Sequence, residues 1–197
     1  MLRRQFLKMS GILLASAWLA GCASPHYLQL NPQRSAAVPQ AGQGQQVTVI
    51  AQDGRATEVI GSRSGQSMAT SQIIVHSHEL IPRLQEQAQR AVRDMGFSPT
   101  TEPAAGRPSL TLVLESLAYR KGDSGQPLVD EARLEAVFRA EAKNQGTTYT
   151  GTYTSRRTQG YALKPDRDAN TRMLNDLLSD ALNRAFSDPE LANLLAR

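Results

Sequence analysis

The stretch "ARLEAVFRAEAK", Ala132 to Lys143, decides most about what this chain can fold into. Its alanines and glutamates favour a helix by intrinsic propensity. Yet Ala132, Leu134, Ala136, Phe138, Ala140 and Ala142 alternate one for one with Arg133, Glu135, Val137, Arg139, Glu141 and Lys143. A period of two gathers the first set on one face of a strand, whereas a helix would scatter it around the axis. The segment is read as a long strand. "TTYTGTYTS" follows as its β-rich partner, with Gln145-Gly146 in the turn. A strand pair of this length with one apolar face needs a second layer to cover it.

Two amphipathic helices supply that layer. In "ELIPRLQEQAQRAVRDMGF", Leu80, Leu84, Ala88, Ala91, Val92 and Met95 recur at helical spacing, while Arg83, Glu86, Arg90 and Arg93 point away. Pro82 fits the first turn and Gly96 fits the position just past the helix end. From Asn170 to Phe186, Leu174, Leu177, Leu178, Ala181, Leu182, Ala185 and Phe186 form a second apolar face. Asp188-Pro189 ends this helix and caps a short terminal one, "ELANLLAR". Ahead of the first helix, "VTVIAQDGRATEVIGS" reads as a hairpin turning at Asp53-Gly54, followed by a third strand over Gln72 to His76. Ser98 to Pro108 reads as a loop, and Leu110, Leu112 and Leu114 begin a fourth strand that ends in a turn over Gly122 to Pro127. The expected architecture is α+β: an antiparallel or mixed sheet with two helices packed on one face, in βββα–βββα order, plus the short C-terminal helix.

The first 21 residues differ in kind. Arg3, Arg4 and Lys8 precede an apolar stretch from Met9 to Ala20, too short to span a bilayer, and the stretch closes on Leu19-Ala20-Gly21-Cys22. This is the layout of a secretory signal, and its last four residues resemble a bacterial lipobox, in which the cysteine thiol takes a diacylglyceryl group. Residues 1–21 are therefore expected to be a lipoprotein signal peptide, with Cys22 as the lipidated residue. Arg3-Arg4-Gln5-Phe6-Leu7-Lys8 also resembles a twin-arginine export motif, while an ordinary basic start for general secretion remains the other reading. Residues 22–45, rich in Gln, Pro, Ala and Ser, are expected to form a flexible tether spanning on the order of 25–30 Å. Residues 46–197 are expected to form a single globular domain facing the periplasm.

The signal corrects the charge. The whole chain carries a net +4, with 22 basic and 18 acidic residues. Removing Arg3, Arg4 and Lys8, and no acid, leaves 19 against 18, which is no electrostatic footprint for nucleic acid. With Cys22 lipidated, no thiol remains for a disulfide or a cysteine metal site.

The tetrapeptide at Leu19 to Cys22, the Pro-containing segment after it and Asp53-Gly54-Arg55 together resemble the YajG-like family of Gram-negative outer-membrane lipoproteins. So do the helix "LIPRLQEQAQRAVRDMGF", the long strands and the final "LNDLLSDALNRAF". The resemblance implies a small periplasm-facing domain on an outer-membrane lipid anchor, and it implies no reaction. Ala23 after the cysteine, in place of Asp, agrees with the outer membrane.

No catalytic constellation stands out. His76-Ser77-His78-Glu79 is the sharpest candidate for metal chemistry, yet it falls where a strand gives way to a helix, so strand alternation breaks inside it. Ser77 and Glu79 are better explained as helix-start residues, and neither a metal nor a cofactor is expected. "GSRSGQS", Gly61 to Ser67, lacks the lysine of a phosphate loop and reads as a hairpin loop. Asp53 with Arg55 reads as a turn-stabilising pair. The best ligand surface is Tyr149, Tyr153 and Tyr161 interleaved with Arg156 and Arg157, suited to sugar faces and to carboxylates or phosphates. The primary expectation is a non-enzymatic envelope interaction or scaffold module held at the membrane through Cys22, with an envelope protein or peptidoglycan as partner. The alternatives are a carrier of a lipid or peptidoglycan fragment, which needs an apolar cavity, and a metal-dependent hydrolase acting through His76, His78 and Glu79.

Overall fold

The structure, a computed structural model, describes residues 24–65, 68–123, 125 and 129–197. The signal peptide, Cys22 and Ala23 lie outside the described residues, as does most of the turn expected over Gly122 to Pro127. The strands are β1 (His26–Tyr27), β2 (Gln46–Asp53), β3 (Val59–Ser62), β4 (Gln72–Ile74), β5 (Ser98–Thr100), β6 (Ser109–Asp123), β7 (Asp130–Asn144) and β8 (Thr147–Tyr161). The helices are α1 (Ser77–Asp94), α2 (Arg167–Phe186) and α3 (Pro189–Ala196). All eight strands join one mixed sheet, so the fold is α+β.

Period two wins over propensity in β7. Every second residue from Ala132 to Asn144 is buried, and the strand pairs antiparallel with β6 on one side and β8 on the other. Its alanines have a packing reason, because α2 and α3 both lie over β7. Small side chains let the helices approach, and Leu134 and Phe138 fill what remains. The β7–β8 turn is the expected one: Gln145 (φ 49°) and Gly146 (φ 78°) are both left-handed, which suits a two-residue hairpin. In β6, Leu110, Leu112 and Leu114 are buried at even positions and Leu117 and Tyr119 at odd ones. An irregularity between Leu114 and Ser116 makes the change of phase, so one extra residue keeps both runs on the core face.

The hairpin expected at Asp53-Gly54 does not form. β2 pairs parallel with β6 from Thr48↔Ser109 to Asp53↔Leu114, and β3 pairs parallel further along the same strand at Gly61↔Tyr119. β2 and β3 thus lie end to end along one edge of β6. Gly54 is present for close approach: its N–H donates to Leu114 O at 3.0 Å, and a Cβ there would stand 2.8 Å from Val113 Cγ1. Two short strands join those expected. β1 pairs parallel with β4, and β5 lies in the segment read as a loop, beside β2.

The larger correction concerns residues 24–45, expected as a free tether. They form an extended strap seated between α1 and α2, with Leu28 and Leu30 buried at 2% and 3% exposure. α2 presents a polar ladder at four-residue spacing. Asn175 Oδ1 accepts from Asn31 N–H, Ser179 Oγ from Gln33 N–H, and Asn183 Oδ1 from Ser35 and Ala36 N–H, at 2.7–2.9 Å. Ser187 Oγ then donates to Ala37 O. From the other side, Gln87 Oε1 accepts from Arg34 N–H, and the Arg34 guanidinium pairs with Asp94. The strap ends over the C-terminus of α1, where Ala41 and Gly42 N–H donate to Met95 O. Gly96, at φ 95°, closes that helix, and a Cβ on Gly42 would meet the Gly96 carbonyl carbon at 2.4 Å. Both helices run in the direction of the strap, so both N-termini lie where the strap begins.

Asn183→Ala removes the shared acceptor of two strap N–H groups. It is expected to cost about 1–2 kcal/mol and to speed proteolysis within residues 31–37 more than elsewhere, as limited digestion with mass mapping would show.

Candidate functional site

β8 pairs with β7 residue for residue from Asn144↔Thr147 to Asp130↔Tyr161, without a register shift. Parity therefore assigns its faces. Tyr149, Tyr153, Arg157 and Tyr161 point to the helix side, and Arg156 points to the opposite face. The five residues expected as one ligand surface are not brought together. Tyr149 and Tyr153 both donate their hydroxyls to Asp188 Oδ2, and Asp188 Oδ1 accepts from Glu190 N–H at the start of α3. The Asp188 carboxylate holds the Tyr149 phenol above its ordinary pKa, while burial and then that same carboxylate raise Tyr153. Arg157 reaches Asp176 at 2.8 Å and Asp180 at 3.3 Å on α2. Tyr161 packs against the core, and burial raises its phenol too. Arg156 pairs with Glu135 across the outer face.

What β8 does expose is its free edge. Among the described residues it pairs with β7 alone, which leaves the backbone groups of every second residue of this fifteen-residue strand pointing outward along one side. Thr148, Thr150, Thr152 and Thr158 are exposed along it. Long edge strands offer N–H and C=O groups to an incoming strand.

His76, His78 and Glu79 do not turn their ligating atoms towards a common point. The imidazoles stack, with centroids 5.2 Å apart and planes 28° from parallel. Ring nitrogens project within the ring planes, so stacked rings do not direct two lone pairs onto one ion at about 2 Å. His76 also stacks on Tyr27, and its Nδ1 lies 2.8 Å from Glu58 Oε2. Glu79 takes the Gln29 side-chain amide instead. No set of three or more ligating side chains among the described residues converges on a common point.

The expected pairing of Asp53 with Arg55 is present, in a larger role. Arg55 Nε and Nη2 form a fork on the two Asp53 oxygens at 2.8 and 2.7 Å, Nη2 also donates to Val75 O, and Ser77 Oγ donates to Asp53. Only 3% of the Arg55 side chain and 14% of that of Asp53 are exposed. Burial pushes the Asp53 carboxyl up. The Arg55 and Ser77 hydrogen bonds outweigh that and hold it at about 2. Beside this pair, Glu58 Oε1 accepts from Ser77 N–H and so caps α1 from outside the helix. That N–H first, then His76, lowers the Glu58 carboxyl to about 2. Sequence reading finds helix caps in the adjacent residue, and a cap supplied nineteen positions away carries no local signal.

These groups belong to the end of the molecule where the strap begins. Arg63 Nη2 donates to both Ser24 O and Thr70 O at 2.8 Å, fastening the start of the strap to the β3–β4 connection. Of the Gly61–Ser67 segment expected as a hairpin loop, Gln66 and Ser67 lie outside the described residues; Arg63 to Gly65 turn out of β3, and Ser62 and Ser64 share their hydroxyls with Ser71. His26 Nδ1 lies 3.2 Å from Asn170 Nδ2 in α2, and burial lowers the pKa of its imidazole. Two adjoining open clefts, of about 500 and 430 Å³, lie among Tyr27, Gln29, His76, His78, Glu79 and Arg167. Both have mostly polar linings, unlike the enclosed apolar space a lipid carrier requires. No helix among the described residues is long and apolar enough to cross a membrane.

Comparison with known proteins agrees with this architecture. A family model described as an uncharacterized lipoprotein matches residues 32–196. A search of curated proteins finds no match. Among solved structures, a crystal structure of an uncharacterized protein superposes with a TM-score of 0.50 at 14% identity, covering 83% of this chain and 99% of its own. Protein XCC0632 from Xanthomonas campestris superposes with a TM-score of 0.50 at 13% identity, covering 86% and 96%. At these identities the likeness is one of fold.

Proposed function

This chain belongs to the uncharacterized lipoprotein family, the YajG-like lipoproteins, and from that premise we propose that it is a lipid-anchored, non-enzymatic interaction module of the cell envelope. Cys22 carries the acyl chains, and the domain faces the periplasm from the outer membrane. Each buried methylene contributes about 0.8 kcal/mol, so two or more chains hold firmly where one does not. The observation that carries the interaction role is the open edge of β8. A segment of a partner envelope protein adds there as a further strand, with main-chain hydrogen bonds supplying affinity and the exposed threonines supplying register.

Lysine is what edge strands use to repel such partners. Crosslinking in intact cells, followed by mass spectrometry, tests the role. Wild type is expected to give crosslinks from β8 to an envelope protein, and Thr150→Lys with Thr152→Lys to abolish them while leaving the anchor in place. Crosslinks unchanged in the double variant, or crosslinks to peptidoglycan alone, would overturn the strand-addition reading. Palmitate labelling tests the anchor separately: label on wild type and none on Cys22→Ser is expected.

A further inference from the structure

The seated strap removes nearly all slack between Cys22 and the domain. Ser24 is already fastened by Arg63, and only Ala23 intervenes. At no more than about 3.6 Å per residue, the Cys22 and Ser24 Cα atoms stand within roughly 7 Å of each other. A chain acylated at Cys22 therefore brings one particular end of its domain to the bilayer.

That end has the surface for it. The exposed large apolar side chains among the described residues are Tyr27 (51%), Met68 (56%) and Leu163 (87%). Tyr27 lies in β1, three residues past Ser24. Met68 precedes Thr70, whose carbonyl shares the Arg63 guanidinium with Ser24. Leu163 stands between the end of β8 and Asp166, the cap of α2, beside which His26 is held by Asn170. Three exposed apolar side chains from three separate segments thus lie towards the end of the domain where the strap begins. Lys164 and Arg167 are exposed beside Leu163, next to Asp166 and Asp168 of the α2 N-terminus.

Resting on the anchor assigned above, we propose that this end docks flat on the membrane that holds the acyl chains. Tyr27, Met68 and Leu163 enter the boundary between headgroups and acyl chains, and Arg63, Lys164 and Arg167 lie at the level of the lipid phosphates. An amphipathic tyrosine and long apolar side chains flanked by cations are what that boundary accepts. The β8 edge then stands upright from the bilayer. Its far end at Gln145 lies about 45 Å away, from fourteen strand steps of about 3.3 Å.

The test uses the full acylated chain in vesicles of phosphatidylethanolamine and phosphatidylglycerol, with a nitroxide at Leu163→Cys, Met68→Cys or, as the distal reference, Gln145→Cys. Acylated Cys22 has no free thiol to label. The ratio of oxygen to water-soluble nickel-chelate accessibility at 163 and 68 is expected to be several-fold above that at 145. Acylated protein, verified by mass, whose label at 163 is as aqueous as at 145 would overturn the docking and leave the anchor standing. An unmodified Cys22 in protein from the native membrane would overturn both.

Discussion

Asp53→Ala is expected to lower the stability of the domain by about 3–5 kcal/mol, the cost of leaving a buried guanidinium without its partner. Arg55 has almost no access to water, so its charge cannot be resolvated where it stands. Loss of the carboxylate also takes the acceptor of Ser77 Oγ, at the first residue of α1. The double variant Asp53→Leu with Arg55→Met removes both charges and is expected to cost markedly less than Asp53→Ala alone. Urea unfolding followed by far-ultraviolet circular dichroism measures both, and a double variant as damaged as the single one would refute the buried-charge account. The pair also has a pH signature. The carboxyl is held at about 2 in the folded chain against an ordinary 3.8. Between those values the unfolded chain binds more protons than the folded one. The stabilisation is therefore complete above about pH 4 and drains away as pH falls towards 2. Asp53→Asn lacks this component, so the gap between it and wild type is expected to narrow over that window.

Phe138→Ala is expected to cost a similar amount, about 3–5 kcal/mol, for a different reason. Phe138 is fully buried at the middle of β7, opposite Leu114 on β6 and Tyr153 on β8. Its neighbours on the same face are Ala136 and Ala140, whose methyl groups are too short to lean into the space. The two flanking strands hold the backbone, so the cavity stays open and carries its full cost. For a domain of this size the loss amounts to a fall in Tm of roughly 10 °C. Phe138→Leu keeps most of the volume and is expected to lose far less, and equal losses in a thermal scan would show that the site collapses after all.

The alternation in β7 was legible because strand parity is a one-residue rule that tertiary context does not alter. The helix faces were legible for the same kind of reason. Asp53-Gly54 misled because its turn chemistry is sound locally, while the choice of partner for β2 and β3 is made by β6, more than fifty residues downstream. The strap misled more completely. Its composition is that of a linker, and its backbone groups are satisfied by Asn175, Ser179 and Asn183 rather than by a ladder with its own period. The one available signal was on the other side, a row of Asn, Ser, Asn and Ser at four-residue spacing along an otherwise amphipathic helix. On β8, neighbours in sequence are not neighbours in space. Arg156 and Arg157 are adjacent in the chain and therefore on opposite faces of the sheet.

The seated strap also sets an order of assembly. Its contacts with α1 close loops of about fifty residues, and those with α2 close loops of 144 to 150. Loop closure is paid before such contacts repay it, so long-range pieces arrive late. The groove that receives the strap does not exist until both helices lie on the sheet. The strap, made before the rest of the domain, is thus the last part of it to be seated.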